Sequence, residues 1–329
     1  MELKLPGCRM LTHRFSLKSL FAVVLIIILS GCASSMPPPE TFKLNSARYG
    51  HTAVADDSAI YVFGGSNESG FHRSVERIDP VTKNSEVLPV QLLPRRYASA
   101  VWDGKHSIYI FGGVGIRRGQ AYLESTIEIL NTRNGRVTRT QMASPRRFNS
   151  AVFLNGDFYV VGGSVFDYPV AGESFEYQAS SLVTAYNFEQ RQMLQFSDLP
   201  NARETSVFAH NGKVCAIGGY DTEQTYSRFD CLNPMSDTWE SMPDAPVAVS
   251  AHSSVVHGDT LYVFGDYTNQ SQVLTFNFNS GEWAFSDIPF QGSRHHAAVV
   301  FDDEIFVMGG TNNSSGPALD MIQVFKVSN

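Results

Sequence analysis

Three sets of side chains in this sequence have the types and spacing to do chemistry. The first is a series of arginines, Arg48, Arg96, Arg147, Arg203 and Arg294, each opening a short segment of similar form. Examples are Arg48-Tyr-Gly-His51, Arg96-Tyr-Ala-Ser99 and Arg147-Phe-Asn-Ser150; Arg95 and Arg146 precede two of them. A guanidinium presents a planar fork of donors that fits a carboxylate. Several gathered at one place would form an anion-selective cup. The same residues also suit a structural role, tying one repeat to the next. The second set ends these segments: His51, His252 and His296, with Ser99, Ser150 and Ser206 in the other copies. Clustered imidazoles suit zinc or copper. They equally suit hydrogen bonds within a wall, and that is the reading carried forward, with no metal and no cofactor. The third set lies in the longest loop, where Asp167, Tyr168, Glu173, Glu176 and Tyr177 fall together. A carboxylate over a bed of arginines can act as acid or base, or the loop can simply be solvated. Arg117 and Arg118 add positive charge to a neighbouring loop.

Other chemistry is not written here. The sequence has no Gly-x-Ser-x-Gly, His-Glu-x-x-His, P-loop or Rossmann fingerprint. Acidic residues outnumber basic ones, 32 to 25, so a basic nucleic-acid surface is not expected.

The elements that position these side chains repeat. Ala59-Ile-Tyr-Val-Phe-Gly64-Gly65 returns as a hydrophobic run closed by glycine at Gly112, Gly162, Gly218, Gly265 and Gly309. The spacing of about 50 residues marks a repeat architecture. Each copy reads as a buried strand, b, that stops where a residue without Cβ is needed. The arginine-opened segment before it is strand a. A patterned strand c and an aromatic-bearing strand d, as in Trp239-Glu-Ser-Met and Trp283-Ala-Phe-Ser, complete a four-stranded antiparallel sheet.

This plan resembles the kelch repeat, and residues 40–329 resemble an all-β, six-bladed kelch propeller. Six glycine anchors carry the resemblance, with Tyr61, Tyr109, Tyr159, Tyr262, Trp239 and Trp283. The sequence departs at Asp266, and at Val137 and Met193, which stand at the tryptophan position. The repeats run at about 48–95, 96–146, 147–202, 203–248, 249–293 and 294–329. The last lacks its outer strand. Residues 40–47 are expected to supply it, with Phe42 in the tryptophan's place, because an open sheet edge is a liability. The resemblance implies a ligand rim formed by the b–c and d–a loops. On that rim the candidates are Arg48, Arg96, Arg147, Arg203, Arg294, Arg117, Arg118, Tyr168, His51, His252 and His296. Cytosolic members mostly bind proteins. An exported bacterial member is the sialic-acid (N-acetylneuraminate) epimerase, which needs no cofactor; its activity is the alternative here, with none of its catalytic residues carried over, and Asp167, Glu173 and Glu176 are the candidate acids or bases of the long loop alone. Galactose oxidase shares the propeller type, but no cysteine here is placed for its copper site.

Ahead of the repeats, Lys4, Arg9, Arg14 and Lys18 precede the apolar run Phe21–Leu29 and then Leu29-Ser-Gly-Cys32. This has the form of a secretory signal over 1–31, and Cys32 resembles a bacterial lipidation site, with 32–39 as a tether. It implies a monomeric protein anchored to the bacterial outer membrane, facing the periplasm, that recognises an envelope protein or an acidic glycan. Cys215 and Cys231 fall on adjacent strands b and c of the fourth unit. They are expected to form a disulfide, or to be two small buried side chains.

Overall fold

In the computed structural model, residues 37–167, 176–312 and 316–327 are described. Cys32, the segment 1–31, Tyr168 and Glu173 lie outside them. The hydrophobic runs form the second strand of each unit: Ile60–Asn67, Ser107–Phe111, Asp157–Val161, Lys213–Tyr220, Thr260–Phe264 and Glu304–Met308. Each pairs with an inner strand a on one side and strand c on the other, giving six antiparallel blades in the order a-b-c-d. The inner strands neighbour one another in a circle, and Tyr49–Ala55 of the first unit lies beside Ala297–Phe301 of the sixth. The protein is a six-bladed β-propeller.

The core sits between blades rather than at the centre. Six apolar clusters form, each from two adjacent blades. Between the fourth and fifth, for example, Phe208 and Phe229 meet Phe276 and Trp283. The tryptophans also lock neighbours by polar contact. The indole N–H of Trp239 donates to the Ser197 carbonyl at 2.9 Å, and that of Trp283 to the Pro243 carbonyl at 2.7 Å.

The ring closes through both chain ends. Glu40–Lys43 pairs antiparallel with Met321–Lys326, with Phe42 opposite Ile322. The expectation that Phe42 replaces the tryptophan is corrected by three rungs. Trp239 lies opposite Leu232, whose counterpart in the sixth unit is Phe325. Phe42 instead meets Phe306 edge-on, at 6.5 Å between ring centroids.

The glycines that close strand b are needed for close approach. Gly112 has φ +62, and a Cβ there would run into the Arg146 carbonyl oxygen of the next blade. Gly112→Ala is therefore expected to cost at least ~2 kcal/mol, from the left-handed backbone and the clash together. A lower urea midpoint at unchanged m would show it. Asp266 manages without a second glycine, because its carboxylate accepts hydrogen bonds from the Ser250 and Thr268 amides at 2.9 and 2.8 Å.

Candidate functional site

Register divides the arginines into two sets. Arg48, Arg95, Arg146 and Arg203 occupy equivalent positions, since their backbone carbonyls fill the Cβ space of Gly309, Gly64, Gly112 and Gly162 in the preceding blades. Their side chains are buried and turn into their own blade. Arg48 pairs with Glu76, Arg95 with Glu128 and Arg203 with Asp230. Arg146 meets the Val160 carbonyl and the Thr184 hydroxyl. The fifth unit has Val249 and Leu274 at the same two positions. Where the arginine is lost, so is the acid. Arg48 and Arg203 thus serve the frame, and their expected place on the rim is corrected. Arginines in the other set, Arg96, Arg147 and Arg294, sit one residue further along. The doubled arginines at 95–96 and 146–147 obscured that one-residue offset in the sequence.

The inner strands enclose a central cavity of about 620 Å³. Small side chains line it, among them Ala53, Ala100, Ala151, Ser206, Ser254 and Ala298. At one level the wall is laced by backbone hydrogen bonds that run round the circle. The Phe148 amide donates to the Tyr97 carbonyl (2.8 Å), Tyr97 to Gly50 (2.7 Å), Gly50 to His295 (2.9 Å) and His295 to Ala251 (2.9 Å). All five residues have φ between 49° and 62°. Tyr97 and Phe148 stack at 3.8 Å, with His295 beside both. Burial pushes the Tyr97 phenol up to about 12. The lacing stops at the fourth unit. There strand a begins at Glu204 with a register shift before Ser206, and Tyr220, Thr225, Tyr267 and Thr268 line the cavity instead.

His51, His252 and His296 do not converge on a metal. Each imidazole faces the glycine that ends strand b of the preceding blade: Gly309, Gly218 and Gly265 respectively. Among the described residues no three metal-ligating side chains come together. Burial holds the three rings neutral, with His51 well below its ordinary value and His252 and His296 pushed down to about 4. The unfolded chain therefore binds more protons than the folded protein below about pH 6.5. Stability is expected to be full above that pH and to fall toward pH 4, by up to ~1.4 kcal/mol per pH unit for each ring. Urea unfolding at several pH values checks this, and His252→Asn should flatten the slope.

The rim is cationic and aromatic over the first three units. Arg96 donates to the Tyr49 hydroxyl at 2.8 Å and lies 5.2 Å from the Phe71 ring and 5.0 Å from that of Tyr97. Arg147 lies 3.8 Å over Tyr177 and 5.0 Å from Phe148. Arg117 lies 4.8 Å over Tyr122, and Arg117 and Arg118 are exposed. Arg294 is covered by the Tyr267 ring at 3.8 Å and is only 5% exposed. Burial, with the nearby Arg294, His296, Arg96 and Arg147, pushes the His295 imidazole down to about 3. Glu204 is the acid among them. It accepts from the Ser164 hydroxyl at 2.5 Å and from Arg147 at 3.3 Å, while burial raises its carboxyl above the usual range. Asp167 and Glu176, the described carboxylates of the long loop, are exposed and do not line the cavity. Nothing in the sequence distinguished Glu204, Tyr220 and Tyr267.

In the fourth unit Cys215 and Cys231 pair across strands b and c and are joined by a disulfide.

Residues 50–266, more than half of the chain, match the family described as the KLHDC2/KLHL20/DRC7 Kelch-repeats domain. Residues 293–329 match the Kelch motif. Kelch-like protein 25 of Xenopus tropicalis is 26% identical over 216 residues, which is 62% of this chain and 34% of that protein. Kelch domain-containing protein 10 of Xenopus laevis is 26% identical over 307 residues, 81% of this chain and 72% of that protein. Kelch-like protein terF of Aspergillus terreus is 25% identical over 194 residues, 53% and 41% respectively. The match thus spans about a third of the length of the first relative.

These matches correct the bacterial reading. They run to kelch proteins of eukaryotes, not to a bacterial envelope lipoprotein or to the sialic-acid epimerase. The expectations of a signal peptide, palmitate at Cys32, a periplasmic or outer-membrane location and an envelope or glycan partner fall with it. Their basis was local: one apolar run followed by Leu-Ser-Gly-Cys, a pattern short enough to occur without its usual meaning. Among the described residues, the cysteines present are the two in the disulfide.

Proposed function

Because the chain belongs to the kelch-repeat family of β-propellers, we propose that it is a protein-binding module whose rim over the first three units holds an acidic segment of a partner protein. The observation that carries this is the guanidinium–aromatic array: Arg96 among Tyr49, Phe71 and Tyr97, and Arg147 over Tyr177 and Phe148. Arginine and tyrosine are the residue types that dominate the energetics of protein interfaces, through large rigid area and a polar end. Rings on which a guanidinium rests fix its direction, so that less freedom is lost when a carboxylate docks. The small-residue cavity below accepts a side chain of the same segment. The frame arginines do not contribute, because they are buried and turned onto the strands of their own blades.

Selection of a random peptide library on the protein tests this reading. Sequences rich in aspartate and glutamate are expected to be enriched, and Arg96→Ala is expected to weaken their binding by about tenfold or more. Enrichment of basic or purely apolar sequences, or indifference to Arg96→Ala, would contradict it.

A further inference from the structure

The residue one step beyond the frame arginine differs from unit to unit: Tyr49, Arg96, Arg147, Glu204, Ser250 and Arg294. Five of these are neutral or cationic. Glu204 places an acid in the same circle, and it does so directly against a donor pair. Arg147 uses its Nε to donate to the Ser164 hydroxyl oxygen at 3.0 Å and its Nη2 to reach Glu204 Oε1 at 3.3 Å. The Ser164 hydroxyl donates to the same carboxylate oxygen at 2.5 Å. A guanidinium and a hydroxyl converging on one carboxylate oxygen is the arrangement that an incoming carboxylate would require. Here the carboxylate belongs to the chain itself, and it lines the cavity.

We propose that Arg147 and Ser164 form a carboxylate-binding site occupied by Glu204 as an internal competitor, so that an acidic ligand must displace Glu204 to use it. This rests on the reading above for the class of ligand but not for the role of Arg96. Displacement is open to Glu204 for a geometric reason. It stands at the start of its strand, at the register shift, and its side chain is 13% exposed at the break in the lacing. A carboxylate locked into the sheet like Glu76, at 0%, has no such path. The consequence is that the module's affinity for acidic segments is held below what its arginines allow. Segments able to supply a carboxylate of their own at Arg147 are then selected over those that merely carry negative charge.

A fluorescein-labelled hexaglutamate peptide in low-salt buffer serves as probe, read by anisotropy. Glu204→Ala is expected to tighten binding by tenfold or more. Glu204→Gln, which keeps the size of the side chain and an oxygen for Ser164, should tighten it about threefold. Adding Arg147→Ala to Glu204→Ala should abolish the gain. Binding no tighter in either Glu204 variant, a gain that survives loss of Arg147, or no binding by any of these proteins would overturn the proposal. A gain at Glu204 with no effect of Arg96→Ala would leave the internal competitor standing and remove the Arg96 array from the functional reading.

Discussion

Arg48→Ala is expected to destabilise the protein by about 3–5 kcal/mol, the cost of leaving one partner of a buried ion pair alone. Arg48 and Glu76 are both fully buried, and no other cation pairs with Glu76 among the described residues. The guanidinium also donates to the Gly64 carbonyl at 2.9 Å and the Ser74 hydroxyl at 3.2 Å, so its loss orphans acceptors on strands b and c together. Arg96→Ala, by contrast, removes a half-buried side chain whose hydrogen bond is to a tyrosine hydroxyl, and should cost about 1 kcal/mol. Urea unfolding of the two variants side by side separates frame from rim. A loss below about 1 kcal/mol at Arg48 would return that residue to the ligand candidates.

Removing residues 40–46 is expected to cost at least ~5 kcal/mol. The segment supplies the outer strand of the sixth blade along four rungs, Glu40 to Lys43 against Val324 to Met321. It buries Leu44 at the seam between the sixth and first blades, with Phe42 packed against the same cluster. Burial of a leucine and part of a phenylalanine contributes roughly 3–4 kcal/mol, and each ladder hydrogen bond about 1 kcal/mol more. The Asn45 amide also donates to Glu76 at 2.7 Å, so the deletion loosens the first blade as well as the sixth. The edge left bare at Met321–Lys326 invites pairing with other chains. A lower melting temperature together with higher oligomers on size-exclusion chromatography is the expected result. A truncated protein that melts and elutes like its parent would contradict the closure.

The propeller was legible in the sequence because few folds besides a ring of blades need a double glycine about every 50 residues. Unit count, strand order, the closing strand and the pairing partners of Cys215 all follow from the repeat. Register did not follow, because a shift of one residue is invisible where Arg95-Arg96 and Arg146-Arg147 double the marker. The better signal lay in strand c. Glu76, Glu128 and Asp230 are acids set among apolar residues, and they occur in three of the four units with a frame arginine. Thr184, Leu274 and Gln323 take the place elsewhere. An acid in a buried strand demands a cation, and that would have separated the two arginine sets. Glu204 and Tyr267 could not be found this way. Their importance comes from standing beside Arg147 and Arg294, which are distant in sequence.

Hydrogen exchange with and without an acidic peptide tests the rim most directly. Slower exchange is expected at 49–51, 96–98 and 147–149 on binding, with the outer strands Ser85–Gln91, Val137–Gln141 and Gln192–Phe196 unchanged. Protection confined to those outer strands, with the rim unaltered, would contradict it.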